Sequence, residues 1–220
     1  MPYRRRKSSY RRKRRPRRRG RKVISRVRGV TGFPDAMYST LKYVSHISVT
    51  QILNTQTYRG NSLFDPDFTS IGHQPLGFDE YALIYDRYFV YSSTINVIAV
   101  NNSTSVPAHI ALMPGSSTTP VSTDPTVMKE QAYCKYKILP ISRGTGIVSL
   151  FNRSSTKKMR GETVLDDSFG AITNNTPQRQ WYWHLIAKAA DLTSSAIDVS
   201  MTITMTFKCR FHKRRVLNQS

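Results

Sequence analysis

The chain has no long apolar run, no closely spaced pair of cysteines and, before Asp35, no acid. Each absence excludes something. No stretch approaches the ~18 to 20 consecutive apolar residues of a membrane helix, so no membrane insertion is expected. Residues 1 to 22 lack the apolar core that a secretory signal requires, so the protein is expected to be soluble and intracellular when made. Cys134 and Cys209 are then expected as buried or half-buried thiols rather than a disulfide. The Asn-x-Ser/Thr matches, Asn152 to Ser154 among them, carry no weight without a secretory route.

Recognisable catalytic chemistry is also missing. His46, His73, His109, His184 and His212 are dispersed, with no H-x-x-x-H pair, and neither cysteine has a partner at metal-ligand spacing. No zinc site and no cofactor are expected. There is no Gly-rich phosphate loop, nucleophile elbow or kinase signature. Asp65, Asp67, His73, Asp79, Glu80 and Asp86 come closest to a constellation. A metal-dependent nuclease uses such carboxylates, but turn capping beside Pro66 and Gly72, or pairing with Arg59 and Arg87, accounts for them more simply. No enzyme is expected. His184, in an aromatic run with Trp181, Tyr182 and Trp183, is expected as a satisfied strand residue rather than a ligand.

What is present is charge of one sign, unevenly placed. The 220 residues carry a formal charge of +21. Sixteen cations fall between Arg4 and Arg28: Arg4, Arg5, Arg6, Lys7, Arg11, Arg12, Lys13, Arg14, Arg15, Arg17, Arg18, Arg19, Arg21, Lys22, Arg26 and Arg28. The rest of the chain holds 18 basic and 13 acidic residues. The division is therefore a polycationic arm, residues 1–34, on a mildly basic body, residues 35–220. The arm cannot bury a core and is expected to be disordered until it meets a counter-charge. Arginine dominates it, which suits bidentate phosphate contact, and Tyr3 and Tyr10 can stack on unpaired bases. A mitochondrial transit peptide would need an apolar face that is absent here. A nuclear localisation signal needs only five to eight such residues and is expected within the arm, but it does not use up sixteen. Nucleic acid held through its phosphates, without sequence specificity, is the expected partner.

The body reads as strands. From Val199 to Phe211 every odd position is apolar, while the even ones are Ser200, Thr202, Thr204, Thr206, Lys208 and Arg210. Period-two alternation of this length marks a half-buried strand. Leu41 to Val49 repeats the pattern, and Tyr88 to Val100, Ala108 to Met113, Lys135 to Leu139, Ile147 to Phe151 and Gln180 to Ala187 are further candidates. Turn clusters separate them at 101–105, 114–125, 142–146, 152–156 and 172–177. Helical spacing is confined to Phe78, Tyr81, Ala82 and Tyr85 and to Pro125–Ala132. Seven or eight strands without alternating helices mean an all-β antiparallel sandwich or barrel with long loops. Tyr81, Tyr85, Tyr88, Tyr91, Trp181 and Trp183 exceed what one small core is expected to absorb, which points to interfaces or base-stacking platforms.

Residues 58–81, YRGNSLFDPDFTSIGHQPLGFDEY, resemble the signature stretch of circovirus and cyclovirus capsid proteins. The D-P-D-x-T segment falls on Asp65–Thr69 and the G-H-Q-P-x-G-F-D segment on Gly72–Asp79. Tyr85–Ile95 is similar to the family's next strand, and Ser154–Gly161, SSTKKMRG, to a later basic loop. Residues 101–130 and the last third match only in pattern. The resemblance implies a single eight-stranded jelly roll, assembled as about 60 identical subunits into a small icosahedral (T=1) shell. It also implies an arm that packages circular single-stranded DNA and engages host nuclear import factors, with the protein found in the virion and, during assembly, in the nucleus. No motif specifies a cell-surface receptor. About 60 arms of sixteen cations carry on the order of a thousand charges, matched by about a thousand nucleotides of single strand. Lys157, Lys158, Arg160, Lys213, Arg214 and Arg215 are secondary phosphate candidates. The rival functions are a cellular RNA- or DNA-binding protein with a basic tail, a nuclear enzyme acting on DNA, and a viral movement or regulatory protein; self-assembly separates the first reading from all three.

Overall fold

The computed structural model describes residues 33–69, 72–141, 146–161, 167–190 and 195–216; the expectations for the arm's sixteen cations lie outside these residues. The chain divides into two units, Met1–Phe33 and Pro34–Ser220, and the elements of the described residues belong to the second.

The long alternating segment becomes β9 (Val199–Arg214), which buries every odd position from Val199 to Phe211. It pairs on one side with β1 (Ala36–Val49) and on the other with β3 (Tyr85–Asn101). β6 (Ile147–Ser155) and the three-residue β7 (Gly170–Ile172) share the outer edge of β3, completing a sheet of order β1-β9-β3-β6. A second sheet runs β2 (Leu53–Arg59), β8 (Tyr182–Ala189), β4 (Ala108–Gly115), β5 (Lys135–Leu139). All these pairings are antiparallel. With β7 set aside, eight strands form two four-stranded sheets, the chain changing sheet at every connection but β4–β5, in the double Greek-key order of a jelly roll.

The sheets close on one main core in which Leu41, Tyr43, Ile95, Trp183, Ile203 and Phe207 are buried. Each such side chain contributes roughly 1.5–3 kcal/mol by leaving water. Tyr85, Tyr88, Trp181 and Trp183 lie inside this core, contrary to the expectation of an aromatic surplus at the surface. Their polar tips all find hydrogen-bond partners, which makes burial affordable. Tyr85 Oη donates to Pro34 O, Tyr88 Oη to Asn175 O, Trp181 Nε1 to Thr156 Oγ1 and Trp183 Nε1 to Ser93 Oγ, at 2.9 to 3.2 Å.

Several boundaries differ from the sequence reading. Tyr85 begins β3 instead of ending the helix α1 (Phe78–Ile84). β6 continues to Ser155, over most of the segment 152–156 that reads as a turn, because Asn152 and Ser154 face inward. Pro114 lies within β4, opposite Trp183. β2 and β7 fall outside the strand candidates. α2 (Pro125–Lys129) occupies the expected helical stretch, with Asp124 accepting from Thr126 N and Pro125 in the first turn. A third helix, α3 (Thr156–Arg160), starts on the Ser155 cap and ends at Gly161, whose φ of 70° suits glycine. No helix among the described residues is long and apolar enough to cross a membrane.

Candidate nucleic-acid interface

The two sheets differ in what covers their outer faces. β4 and β8 are buried almost throughout, the pattern of strands covered on both sides. The cover is the β4–β5 connection: its helix α2 seats Met128 against Ala111, Met113 and Ile186. β9 and β1 instead alternate between buried and accessible positions, so the outer face of the β1-β9-β3-β6 sheet is open.

Register organises that face into rows. Tyr38, Arg210 and Phe89 form one row, Thr40, Lys208 and Ser92 the next, and Lys42, Thr206, Thr94 and Arg153 a third. Arg87 stands beside His212 at the near end. At the far end the rows are Val44-Thr204-Asn96-Phe151 and His46-Thr202-Ile98-Ser149. One half thus carries Lys42, Arg87, Arg153, Lys208 and Arg210; the other carries no Lys, Arg, Asp or Glu and exposes Val44, Ile98, Ile147 and Phe151. The only acid within β1, β3, β6 and β9 is Asp86, held at 2.7 Å by Arg215. Burial, reinforced by the charges of Arg210 and Arg87, holds His212 below the ordinary histidine value.

A β-bulge shapes the charged half. Val90 pairs with Cys209 and Ser92 with Lys208, leaving Tyr91 as the extra residue. Thr156 Oγ1 donates to the Val90 carbonyl at 2.7 Å, at the point where β3's edge passes from β6 to β7. Tyr91 leans across β9 to stack on Tyr38, with ring centroids 6.0 Å apart, and packs edge-on to Phe89 at 4.9 Å.

The secondary candidates divide by what already occupies them. Lys157 and Lys158 are exposed on α3, with Lys158 Nζ 3.3 Å from the centre of the Tyr133 ring. Arg160 ties its guanidinium to the carbonyls of Gln180 and Ser116, so it fastens two loops together. Lys213 is exposed at the end of β9, and Arg215 is committed to Asp86 and Thr173. Arg214 pairs in register with Tyr85, whereas α3 leaves the sheet beside Ser92. The two basic groups are therefore about 20 Å apart along β3, and Arg210 and Lys208 lie between them in register. These intervening cations were visible only as the even positions of β9, read as its wet face.

The acidic cluster is structural. Arg59 of β2 grips Asp65 at 2.5 Å and donates to the carbonyls of Asp65 and Asp67, while its guanidinium lies over the Phe68 ring. Asp67 Oδ1 accepts from Thr69 N and Oγ1, and Arg59 N donates to Pro66 O. The D-P-D-x-T segment is a loop folded back on β2, and Gly72–Glu80 lines a hollow of about 750 Å³ beside it. Arg87 pairs with Asp167 rather than with this cluster. His184 has Thr57 Oγ1 at 3.2 Å and Ser117 O at 3.1 Å, and burial lowers its pKa to about 4. Cys134 is half-buried, Cys209 is buried, and both are free thiols. Among the described residues no three His, Cys, Asp or Glu are grouped to hold a metal ion.

No protein-family model matches the chain, and no curated protein matches it. Its fold is similar to those of several solved virus structures. A semi-empty virus-like particle of the Macrobrachium rosenbergii nodavirus of the giant freshwater prawn is 9% identical, covering 86% of this chain and 100% of that one, at a TM-score of 0.49. The empty head of turnip yellow mosaic virus is 11% identical over 90% and 92%, at 0.44. A T=1 subviral particle of a Penaeus vannamei nodavirus capsid protein deletion mutant is 9% identical over 79% and 100%, at 0.42. At TM-scores below 0.5 such likenesses decide nothing about what this chain does.

Proposed function

We propose that this chain is a virus coat protein of the kind its residues 58–81 resemble. About 60 copies form a small icosahedral shell around circular single-stranded DNA, which the sixteen cations of residues 4–28 neutralise. The same arm addresses the protein to the host nucleus before assembly. The observation that carries the reading is the union of two parts: a jelly roll with one open sheet face, and an acid-free run of sixteen cations preceding it in sequence. A polycation of this density repels its own copies, so shells form when nucleic acid is present to offset the repulsion. The uncharged half of the open face, with Ile98, Ile147 and Phe151 exposed, is the surface offered to a second copy.

Negative-stain microscopy with sedimentation of the purified full-length protein tests this. Uniform spherical particles are expected. A monomer or dimer that persists when single-stranded DNA is added overturns the coat-protein reading in favour of a cellular nucleic-acid binder.

A further inference from the structure

The charged half of the open face has the parts of a nucleotide site. Tyr38, Thr40, Tyr91 and Lys208 line a groove of about 490 Å³ over β9. Tyr38 is 70% exposed, a large ring left in water although its neighbour Tyr91 stacks on it. Arg210 passes beneath, its guanidinium carbon 5.8 Å from the Tyr38 ring centre. Lys208 and Arg210 have no acidic partner among the described residues. Next to the groove, on the same half of the face, the Nε atoms of Arg87 and Arg210 and Nδ1 of His212 are buried without a hydrogen-bond partner. Two cations without an acid, Lys208 and Arg210, beside an exposed aromatic pair fit a ligand that brings both negative charge and a flat ring. A peptide rich in acids supplies only the charge, and an apolar segment only the surface.

We propose that this groove binds single-stranded nucleic acid, with one base stacked on Tyr38 and Tyr91 and its flanking phosphates on Lys208 and Arg210. The inference rests on the packaging reading and adds to it a base-contacting site on the folded body, separate from the arm. Stacking is tolerant of sequence because every base has a flat face, so the site holds strand, not message. Its chemistry, an aromatic pair flanked by two cations, is shared by DNA and RNA.

The test compares two twenty-nucleotide probes of equal charge, oligo-dT and a strand of abasic residues, binding to full-length protein in 0.3 M salt. Wild type is expected to prefer oligo-dT by about tenfold, the size of one base stack. In Tyr38→Leu/Tyr91→Leu the preference falls several-fold, to the share of Tyr3 and Tyr10 in the arm, whereas Tyr38→Phe retains it. Lys208→Gln/Arg210→Gln weakens both probes alike and lowers the salt slope by about 1.4, at 0.7 per phosphate contact. An oligo-U probe bound as tightly as oligo-dT supports the site and assigns it to either nucleic acid. Equal binding of oligo-dT and abasic strand by wild type overturns this inference and leaves packaging by the arm intact. A preference undiminished in the double tyrosine variant also overturns it, because the stacking then belongs to Tyr3 and Tyr10 of the arm. Failure of wild type to bind either probe overturns both readings.

Discussion

His184 should make the body acid-labile. Its ring is almost fully buried between β2 and the Ser117 carbonyl, and Gly115 has no side chain because a Cβ would come within 2.7 Å of Nε2. Burial disfavours the charged ring and lowers its pKa to about 4, against about 6.5 in an unfolded chain. Between those values the unfolded state takes up a proton that the folded state refuses. Stability is therefore complete above about pH 6.5, declines as the pH falls and stops declining near pH 4. The full shift corresponds to about 3 kcal/mol, of which about 2 kcal/mol is lost between pH 8 and pH 5, a large share of an ordinary domain's margin. The assay is urea unfolding of dissociated subunits at both pH values, followed by fluorescence of the buried Trp181 and Trp183. His184→Gln keeps a donor for Ser117 and an acceptor for Thr57 but does not titrate. His109 and His212, also held below the ordinary value, titrate equally in both proteins and cancel. Wild type should lose about 2 kcal/mol more than the variant; equal losses would refute the account of a neutral, buried imidazole.

Deleting residues 1–33 should remove most of the salt dependence of single-strand binding, whose ceiling for sixteen cations is a log–log slope of about 11; an unchanged slope takes the arm out of the binding. Phe151→Asp should leave the subunit folded, because the side chain is 59% exposed, yet abolish particles in negative stain; normal particles would free the uncharged half from any role in assembly. Gly60→Ala places a Cβ 2.3 Å from the Trp181 ring and should cost about 1–3 kcal/mol in urea unfolding, whereas a neutral result would contradict that close approach. With a thiol reagent in native buffer Cys134 should react and Cys209, buried and pushed up to about 12, should not until the chain unfolds.

Legibility followed the physics of each element. β9 was plain in the sequence because one face is core and the other water for its whole length, so composition alternates without interruption. β2 was not, since Leu53–Arg59 is polar and half-buried and owes its place to pairing with β8. β6 is longer than its sequence suggests because inward Asn152 and Ser154 look like turn residues; Asn152 is inward because its amide donates to the Tyr133 carbonyl at 2.8 Å. The rings of Trp181 and Trp183 looked surplus because nothing local reveals Thr156 and Ser93, the distant hydroxyls that accept their N–H groups. The open face was hidden for a different reason. Its cations come from positions 42, 87, 153, 208 and 210 and meet only through register, and that this sheet lies bare depends on α2 roofing the other.

The bulge at Tyr91 has a consequence for how the gene can change length. Before it, Tyr88 and Val90 face the core; after it, Ser93, Ile95 and Val97 do, so the inward parity of β3 switches at that residue. Loss of one codon farther along, at Asn96 for instance, turns the remainder of the strand inside out. Loss of codon 91 alone rejoins two segments already in register with β9. The fold is thus indifferent to the residue that the groove requires, and a lineage that no longer needs to hold a base there can discard Tyr91 and keep its shell domain.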